Sequence, residues 1–456
     1  MHEEFRGVER SRPLGVPFVR PRVGVVLAAG RSERLSRVTR GGSKALARVG
    51  GMSLVERAVR GLLAEGLEEV VVVVGHHAGP VAAVVNRLSP GQVRAVLADG
   101  WDDGNGASLA AAEPFVAEDL FVLVTADHVF GEGALDALLA AGAPAVLVDE
   151  APGSDAWAAG TRVRIVDGHA RAFGKEMDER AIDCGAFVLP RRIFESQRRV
   201  AANGDGSLAG AVTELSATEP LLATPVPAGT WWHDVDTPED LPVVRDRLRR
   251  SMVKDGDGPI SRFLNRPVST RLSMAIAPLR PSPDLVSFLA LLLGMAAAVV
   301  LGLGGGIAGG ILVHTTSVVD GVDGEIARLH LRARPSGALL DGVLDRLADA
   351  AILAGLGVWA LEGSFDGVAL VLTVGATAGA MLQMASKDRI AALRLPPAPE
   401  RRLGLLLGGR DGRLLIVAVG ALVGQPVLTL GAVTATSFLS LGLRILSVRS
   451  ADRSSD

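Results

Sequence analysis

The chain of 456 residues holds a single cysteine, Cys184. That excludes an internal disulfide framework and suits a reducing cytoplasm. Lysine plus arginine nearly balance aspartate plus glutamate, leaving a formal net charge of −3. A general attraction to nucleic acid or to acidic partners is therefore excluded. The opening MHEEFRGVERSRPLG has no apolar core, so no secretory peptide is expected there. Arginine outnumbers lysine and tyrosine is absent altogether, a balance compatible with a GC-rich genome that decides nothing about working temperature. What the sequence does have is apolar excess, with a mean hydropathy of +0.34. That excess is unevenly spread, and its distribution divides the chain.

From Val23 to about Asp240, short apolar runs alternate with amphipathic stretches. VGVVLAA, EEVVVVVG, DLFVLVTAD and GAPAVLVDE read as buried parallel strands. SLVERAVRGLLAEG has apolar residues at helical spacing and a closing glycine. This rhythm predicts a doubly wound, Rossmann-like α/β domain over 22–250, after an N-terminal tail at 1–21. From Leu285 to Val319 no residue is charged apart from a protonatable His314, and Gly304, Gly305 and Gly306 interrupt the run. Two membrane helices joined by a tight turn are expected there. Further spans are expected near Gly337–Leu361, Val368–Ser386, Asp411–Gly424 and Val427–Ser447, giving an all-α six-helix transmembrane domain over 271–456. Loops rich in arginine follow the second and fourth spans, and the opposite loops carry no lysine or arginine. The positive-inside rule then puts the N-terminal domain on the cytoplasmic side of a multi-pass inner-membrane protein. Residues 251–270 read as a linker with an interfacial helix, with Arg262, Arg266 and Arg271 near lipid headgroups.

The second half carries DGVDGEIARLHLRARPSGALLDGVLD, from Asp320 to Asp345. Asp320 and Asp323 lie three residues apart, and Asp341 and Asp345 four apart, so each pair shares a helix face. The break at RARPSG lets the two helices meet, and four carboxylates converge at the membrane's edge. Carboxylates beside lipid are costly unless a cation binds them. Magnesium, or manganese in its place, is the expected partner, bridging carboxylates to substrate phosphates. Gly321, Gly324 and Ala327 leave room for a nucleotide, and Arg328 can face a phosphate. The competing reading, that the aspartates cap helices and pair with Arg328, Arg334 and Arg346, suits one such residue better than four.

This string resembles, position by position, the signature of CDP-alcohol phosphotransferases, D-x2-D-G-x2-A-R-x8-G-x3-D-x3-D, and the likeness covers roughly the last 200 residues. The resemblance implies that Asp320, Asp323 and Asp341 hold two metal ions with help from Asp345. It implies that Asp345 is also the general base for the acceptor hydroxyl, and that Gly324, Ala327, Arg328 and Gly337 line the CDP site. The hydroxyl attacks the β-phosphorus and CMP leaves. Lys387, Arg389, Arg410 and Arg413 are candidates for the acceptor's phosphate.

In the first half, VVLAAGRSERL places a glycine-containing turn after a strand, and such backbones cradle phosphates. Arg34 and Lys44 supply positive charge. Asp127 ends a predicted strand, and Asp234 and Asp236 follow a pair of tryptophans. Carboxylates at strand ends in α/β domains sit where ligands bind. A divalent ion between Asp127 and Asp236 would bridge a nucleotide's α-phosphate. The ordered set LAAGRSERL, SKAL, GNGASL, Asp127, FGKEMD, IDCGAFVL and Asp236 resembles the sugar-nucleotidyltransferase family over about Val23–Arg250. The resemblance implies contacts from Leu27, Ala28, Ala29 and Gly30 to base and phosphates. It implies triphosphate neutralisation by Arg34 and Lys44, a second-substrate phosphate on Lys175, and substrate contacts from Asn105, Gly106 and Asp183. Ser32 stands for the usual second glycine and Ser43 for the usual proline. His76 and His77 read as a solvated loop pair, Cys184 as packing, and Trp231 and Trp232 as core and rim.

One half would make a CDP-alcohol and the other would consume one. That order resembles the bifunctional enzymes of di-myo-inositol phosphate synthesis. It implies CTP, inositol 1-phosphate and CDP-inositol as substrates, a lipid bilayer as host, no nucleic-acid partner, and a homodimer through the membrane domain. The alternative reading is a phospholipid-synthesising CDP-alcohol phosphatidyltransferase whose cytidylyltransferase domain takes a different alcohol.

Overall fold

The structure, a computed structural model, describes residues 20–31, 34–39, 42–254, 256–362, 366–393, 395 and 409–453. The expected N-terminal tail lies outside the described residues up to position 19, as do Ser32 and the arginine-rich stretch at 396–408. The chain forms two compact units, Met1–Val244 and Arg245–Asp456.

The first unit is built on a nine-stranded sheet. Its spatial order is Val93–Leu97, Glu69–Val74, Val23–Ala28, Leu120–Thr125, Ile182–Pro190, Ala145–Asp149, Leu221–Pro225, His169–Gly174 and Arg162–Val166. Val23–Ala28 is buried at every position because neighbours cover both faces of the sheet. It pairs in parallel with Glu69–Val74 and Leu120–Thr125. The helix Leu54–Ala64 begins at Ser53, whose hydroxyl accepts from the Glu56 N–H at 3.3 Å. It ends before Gly66, at φ +86°, as the closing glycine requires. Two apolar clusters fill the faces of the sheet, one around Val26, Val72 and Leu138, the other around Val25, Phe121 and Phe194.

The four runs read as parallel strands, Val23–Ala28, Glu69–Val74, Leu120–Thr125 and Ala145–Asp149, do share one direction, but the sheet as a whole is mixed. Ile182–Pro190 runs antiparallel between Leu120–Thr125 and Ala145–Asp149. A buried apolar run reports burial on both faces and carries no information about direction.

In the second unit, α1 (Arg266–Ile276) precedes α2 (Pro283–Gly302), α3 (Gly306–Leu329), α4 (Pro335–Leu361), α5 (Asp366–Ala392), α6 (Arg410–Leu422) and α7 (Pro426–Arg453). The α2–α3 break falls at Leu303–Gly305, with Gly304 at φ +74°. The α3–α4 break ends at Pro335, which cannot donate within a helix but fits its first turn. Among the described residues, α2, α5 and α7 are long and apolar enough to cross a membrane. α3 and α4 have the length, but each carries the acidic residues of the signature, and α6 spans only 13 residues.

The helices pack through small residues. A Cβ on Gly355 of α4 would lie 2.1 Å from the Ala298 carbonyl oxygen of α2, and one on Gly310 of α3 would lie 2.6 Å from that of Ala418 in α6. Such close backbone approach is how helices associate when lipid supplies no hydrophobic drive between them. α1 is polar inside and apolar outside: Ser269 and Ser273 are buried while Val268 and Leu272 are exposed. That inverts the pattern of a soluble surface helix and fits a lipid interface. Arg271 is exposed on this helix, but Arg266, expected at the headgroups, turns inward to Asp257 and Glu325. A buried carboxylate draws the guanidinium away from water.

Candidate active sites

The first site opens at the end of Val23–Ala28. A cavity of about 380 Å³ is lined by Leu27, Ala28, Gly30, Arg31, Arg34, Ser43, Lys44, Ala45, Ala126, Asp127 and Asp236. Ala29 lies beneath the surface, and its carbonyl accepts from the His76 N–H at 2.9 Å. Lys44 starts a short 3-10 turn capped by Ser43, whose hydroxyl accepts from the Ala45 N–H. The serine that stands for the usual proline thus caps this turn.

The Lys44 ammonium reaches three carboxylates: Asp127 at 2.8 Å, Asp234 at 3.5 Å, and Asp236 in direct contact. Arg34 lies 3.6 Å from Asp236. Burial opposes the charge on Lys44, yet these carboxylates outweigh it and raise the lysine's pKa. Burial would likewise push the Asp127 carboxyl up, but Lys44 and His128 hold it well below the usual carboxylate range. Asp234 goes the other way, raised by burial and by its neighbour Asp127.

His128 is a site residue that sequence reasoning missed. Strand His128–Phe130 pairs antiparallel with Trp232–Asp234, setting His128 opposite Asp234 in register. The His128 Nδ1 lies 2.8 Å from Asp127 Oδ1 and 2.6 Å from the Thr125 hydroxyl, and its ring stacks on Trp232 at 5.6 Å. Burial disfavours the imidazolium, but Asp234 and Asp127 prevail and push its pKa up to about 9. Asp127, His128 and Asp234 offer ligand atoms within 4.8 Å of one another. The available signal was the adjacency in TADH, but its partner lies over a hundred residues away. Asp240 holds the Asp236 loop, accepting from the Asp236 and Thr237 N–H groups at 3.0 and 2.7 Å.

Other expected contacts lie outside the cavity. The Asn105 side-chain oxygen accepts from the Leu208 N–H at 2.8 Å, and the Gly106 N–H donates to the Gly206 carbonyl at 2.9 Å. Lys175 is exposed. Asp183 is half-buried and accepts from the Gly185 N–H at 2.9 Å; burial pushes its pKa up. Cys184 is fully buried, its thiol pushed far up by burial, which suits packing rather than nucleophilic work. His76 packs against Trp101, with rings 5.4 Å apart.

The second site lies where α3 and α4 approach each other. Asp320, Asp341 and Asp345 offer oxygens within 4.8 Å of one another. Asp323 is buried, touches Asp341, and accepts from Ser287 and the Gly324 N–H. Arg410 enters from the first turn of α6. Its Nη1 lies 2.5 Å from Asp320 and 3.1 Å from Asp345. Arg328 lies over Gly324, where a Cβ would meet its Nη1 at 3.2 Å, and donates to the Met252 carbonyl. Ala327 is half-buried on the same helix, and a Cβ on Gly337 would lie 3.8 Å from Asp284. Lys387 and Arg389 are exposed near the end of α5, and no ion pair joins them to the carboxylates among the described residues. Arg413 is buried rather than open to an acceptor phosphate.

Residues 24–224 match the MobA-like NTP transferase domain, and residues 281–442 match the CDP-alcohol phosphatidyltransferase family. A bifunctional IPC transferase and DIPP synthase of Rubrobacter xylanophilus is 38% identical over 410 residues, covering 88% of this chain and 90% of the relative. The chain belongs to this bifunctional IPC transferase and DIPP synthase family. Relatives of the same name from Aquifex aeolicus and Thermococcus kodakarensis are 32% and 30% identical, over 88% and 91% of this chain and 92% and 95% of their own. Among the described residues, each of the two units holds one acidic cluster.

Both clusters fit a hard divalent cation by their donor sets. Three carboxylates gather in the second unit, and in the first Asp127 and Asp236 line the cavity and converge on the Lys44 ammonium. Carboxylate oxygens of this kind suit a hard divalent cation.

Proposed function

We propose that the first unit joins CTP and inositol 1-phosphate into CDP-inositol, releasing pyrophosphate. The second unit then transfers phosphoinositol from CDP-inositol to another inositol 1-phosphate, giving di-myo-inositol phosphate phosphate and CMP. The carrying observation is the near full-length likeness to enzymes named for both activities, each matched unit holding its own acidic cluster.

In the first step a phosphate oxygen of inositol 1-phosphate attacks the α-phosphorus of CTP, and the bond to the β-phosphate breaks. Leu27, Ala28, Ala29 and Gly30 hold base and phosphates, and Arg34 and Lys44 neutralise the departing pyrophosphate. Lys175 takes the second substrate's phosphate, with Asn105, Gly106 and Asp183 bounding that substrate. In the second step the acceptor hydroxyl attacks the β-phosphorus of CDP-inositol, and the bond to CMP breaks. Asp345 takes the hydroxyl proton. Gly324, Ala327, Arg328 and Gly337 line the CDP site, and Arg410, with Lys387 and Arg389, faces the acceptor's phosphate. Asp127 with Asp236 would hold a divalent ion in the first unit, and Asp320, Asp323, Asp341 and Asp345 would hold ions in the second. Magnesium bound there supplies charge neutralisation of the phosphates and polarisation of the attacked phosphorus.

The six helices α2–α7 serve as membrane spans in this reading, with both sites facing the cytoplasm and the second unit pairing as a homodimer. Three spans are supported by length and composition; α3 and α4 are admitted because their charges face protein carboxylates and guanidinium rather than lipid.

The test is to incubate purified protein with magnesium, cytidine-labelled CTP and inositol 1-phosphate. Pyrophosphate and CDP-inositol should form first and CMP after them. A lipid-linked donor is the alternative that the phosphatidyltransferase name of the second family favours. If CMP forms only when CDP-diacylglycerol replaces CDP-inositol, that alternative stands and the CDP-inositol route fails.

A further inference from the structure

Three aspartates of α4 recur at one-turn spacing: Asp341, Asp345 and Asp349. The first two belong to the acidic cluster. The third belongs to no signature and is 3% exposed. Burying a lone carboxylate at this depth is expensive unless its partners are charged and well placed. Asp349 has two such partners, both from the first turn of α6. Its Oδ1 accepts from Arg410 Nε at 3.0 Å, and its Oδ2 lies 3.5 Å from an Nη of Arg413.

Arg410 therefore uses different edges for different carboxylates. Its Nε is taken by Asp349, while its Nη1 points to Asp320 and Asp345. A guanidinium is planar, so fixing Nε fixes the direction of the remaining donors. Without Asp349, the ion pairs left to Arg410 among the described residues are those to Asp320 and Asp345, which are also candidate metal ligands. Arg410 would then have no fixed orientation independent of them.

We propose that Asp349 is a positioning residue for the second transfer, acting through Arg410. It anchors the Nε edge so that the outer edge of the guanidinium is presented to the phosphate of the acceptor. The inference rests on the proposed function of the second unit, in which Arg410 faces that phosphate.

The experiment uses the full chain in lipid nanodiscs with magnesium, CDP-inositol and inositol 1-phosphate, following CMP. Wild-type protein must release CMP in this assay; if it does not, the proposed second activity fails and the role of Asp349 with it. Given wild-type release, Asp349→Asn should raise KM for inositol 1-phosphate by about tenfold or more, the loss of one charge-assisted hydrogen bond. KM for CDP-inositol should stay within about twofold, as expected when the lost contact touches only the acceptor. Asp349→Glu should recover most of the acceptor affinity. Asp349→Asn added to Arg410→Ala should cost nothing further, because the two residues act as one unit. Calorimetric binding of inositol 1-phosphate alone should weaken in parallel. Should Asp349→Asn fail to fold, Asp349→Asn with Arg413→Met takes its place, since it leaves no second buried arginine without its carboxylate. Equal rises in both KM values, or effects of Asp349 and Arg410 that simply add, would overturn the proposal in favour of a purely structural pair.

Discussion

The Arg266 guanidinium lies 2.7 Å from the Glu325 carboxylate, tying α1 to the signature helix α3. Glu325 is fully buried and also accepts from the hydroxyls of Ser269 and Ser273, each at 2.6 Å. Glu325 sits between Asp323 and Arg328 of the signature, so the position of α1 is coupled to the helix that carries the site. Removing one partner of a buried pair strands the other charge. Arg266→Met should therefore destabilise the second unit by about 3 kcal/mol, read as a lower thermal midpoint in detergent. Unchanged melting would remove this pair from the forces that hold α3.

Asp257 shares the same arginine, with its Oδ2 2.8 Å from Arg266 Nε. Burial would push its carboxyl up, but the Arg266 hydrogen bonds and charge reverse that and lower the pKa. A lowered folded-state pKa stabilises the protein above the unfolded value, near pH 4, and that stability is lost as pH falls through the folded value. Asp257→Asn should flatten the acid limb of a stability–pH curve below about pH 4 and lower the plateau at neutral pH. An acid limb of unchanged slope would contradict this.

Gly355 meets the Ala298 backbone so closely that even a methyl group cannot enter without separating α2 from α4. Gly355→Ala should cost about 2 kcal/mol by overpacking, although alanine is the better helix former. If the alanine variant melts higher than wild type, the close approach is not a constraint.

The two clusters should be separable by substitution. Asp127→Asn should slow pyrophosphate release by more than about a hundredfold, while CMP release from supplied CDP-inositol continues. Asp345→Asn should do the reverse, letting CDP-inositol accumulate. Lys44→Ala should behave as Asp127→Asn does. Any one of these variants stopping both reactions while still folded would contradict the assignment of one step to each unit.

Chelation gives a check that does not depend on substitution. Removing divalent ions should stop both reactions, and magnesium or manganese should restore each. A step that proceeds in excess chelator has been assigned the wrong chemistry.

Much of this protein was legible in the chain itself. Short buried runs such as Glu69–Val74 announced strands, and Gly304–Gly306 and the Arg334–Pro335 step marked helix breaks, because burial and backbone freedom are local properties. The spacing of Asp320 with Asp323, and of Asp341 with Asp345, puts each pair on one helix face, and the packing of α3 on α4 then gathers Asp320, Asp341 and Asp345. The tertiary structure alone decided the rest. The antiparallel course of Ile182–Pro190, the pairing of His128 with Asp234, the inward turn of Arg266 and the clamp of Asp349 on Arg410 all join residues distant in the chain. Direction within a sheet and the choice of charge partner depend on which surfaces meet, and local periodicity does not encode that.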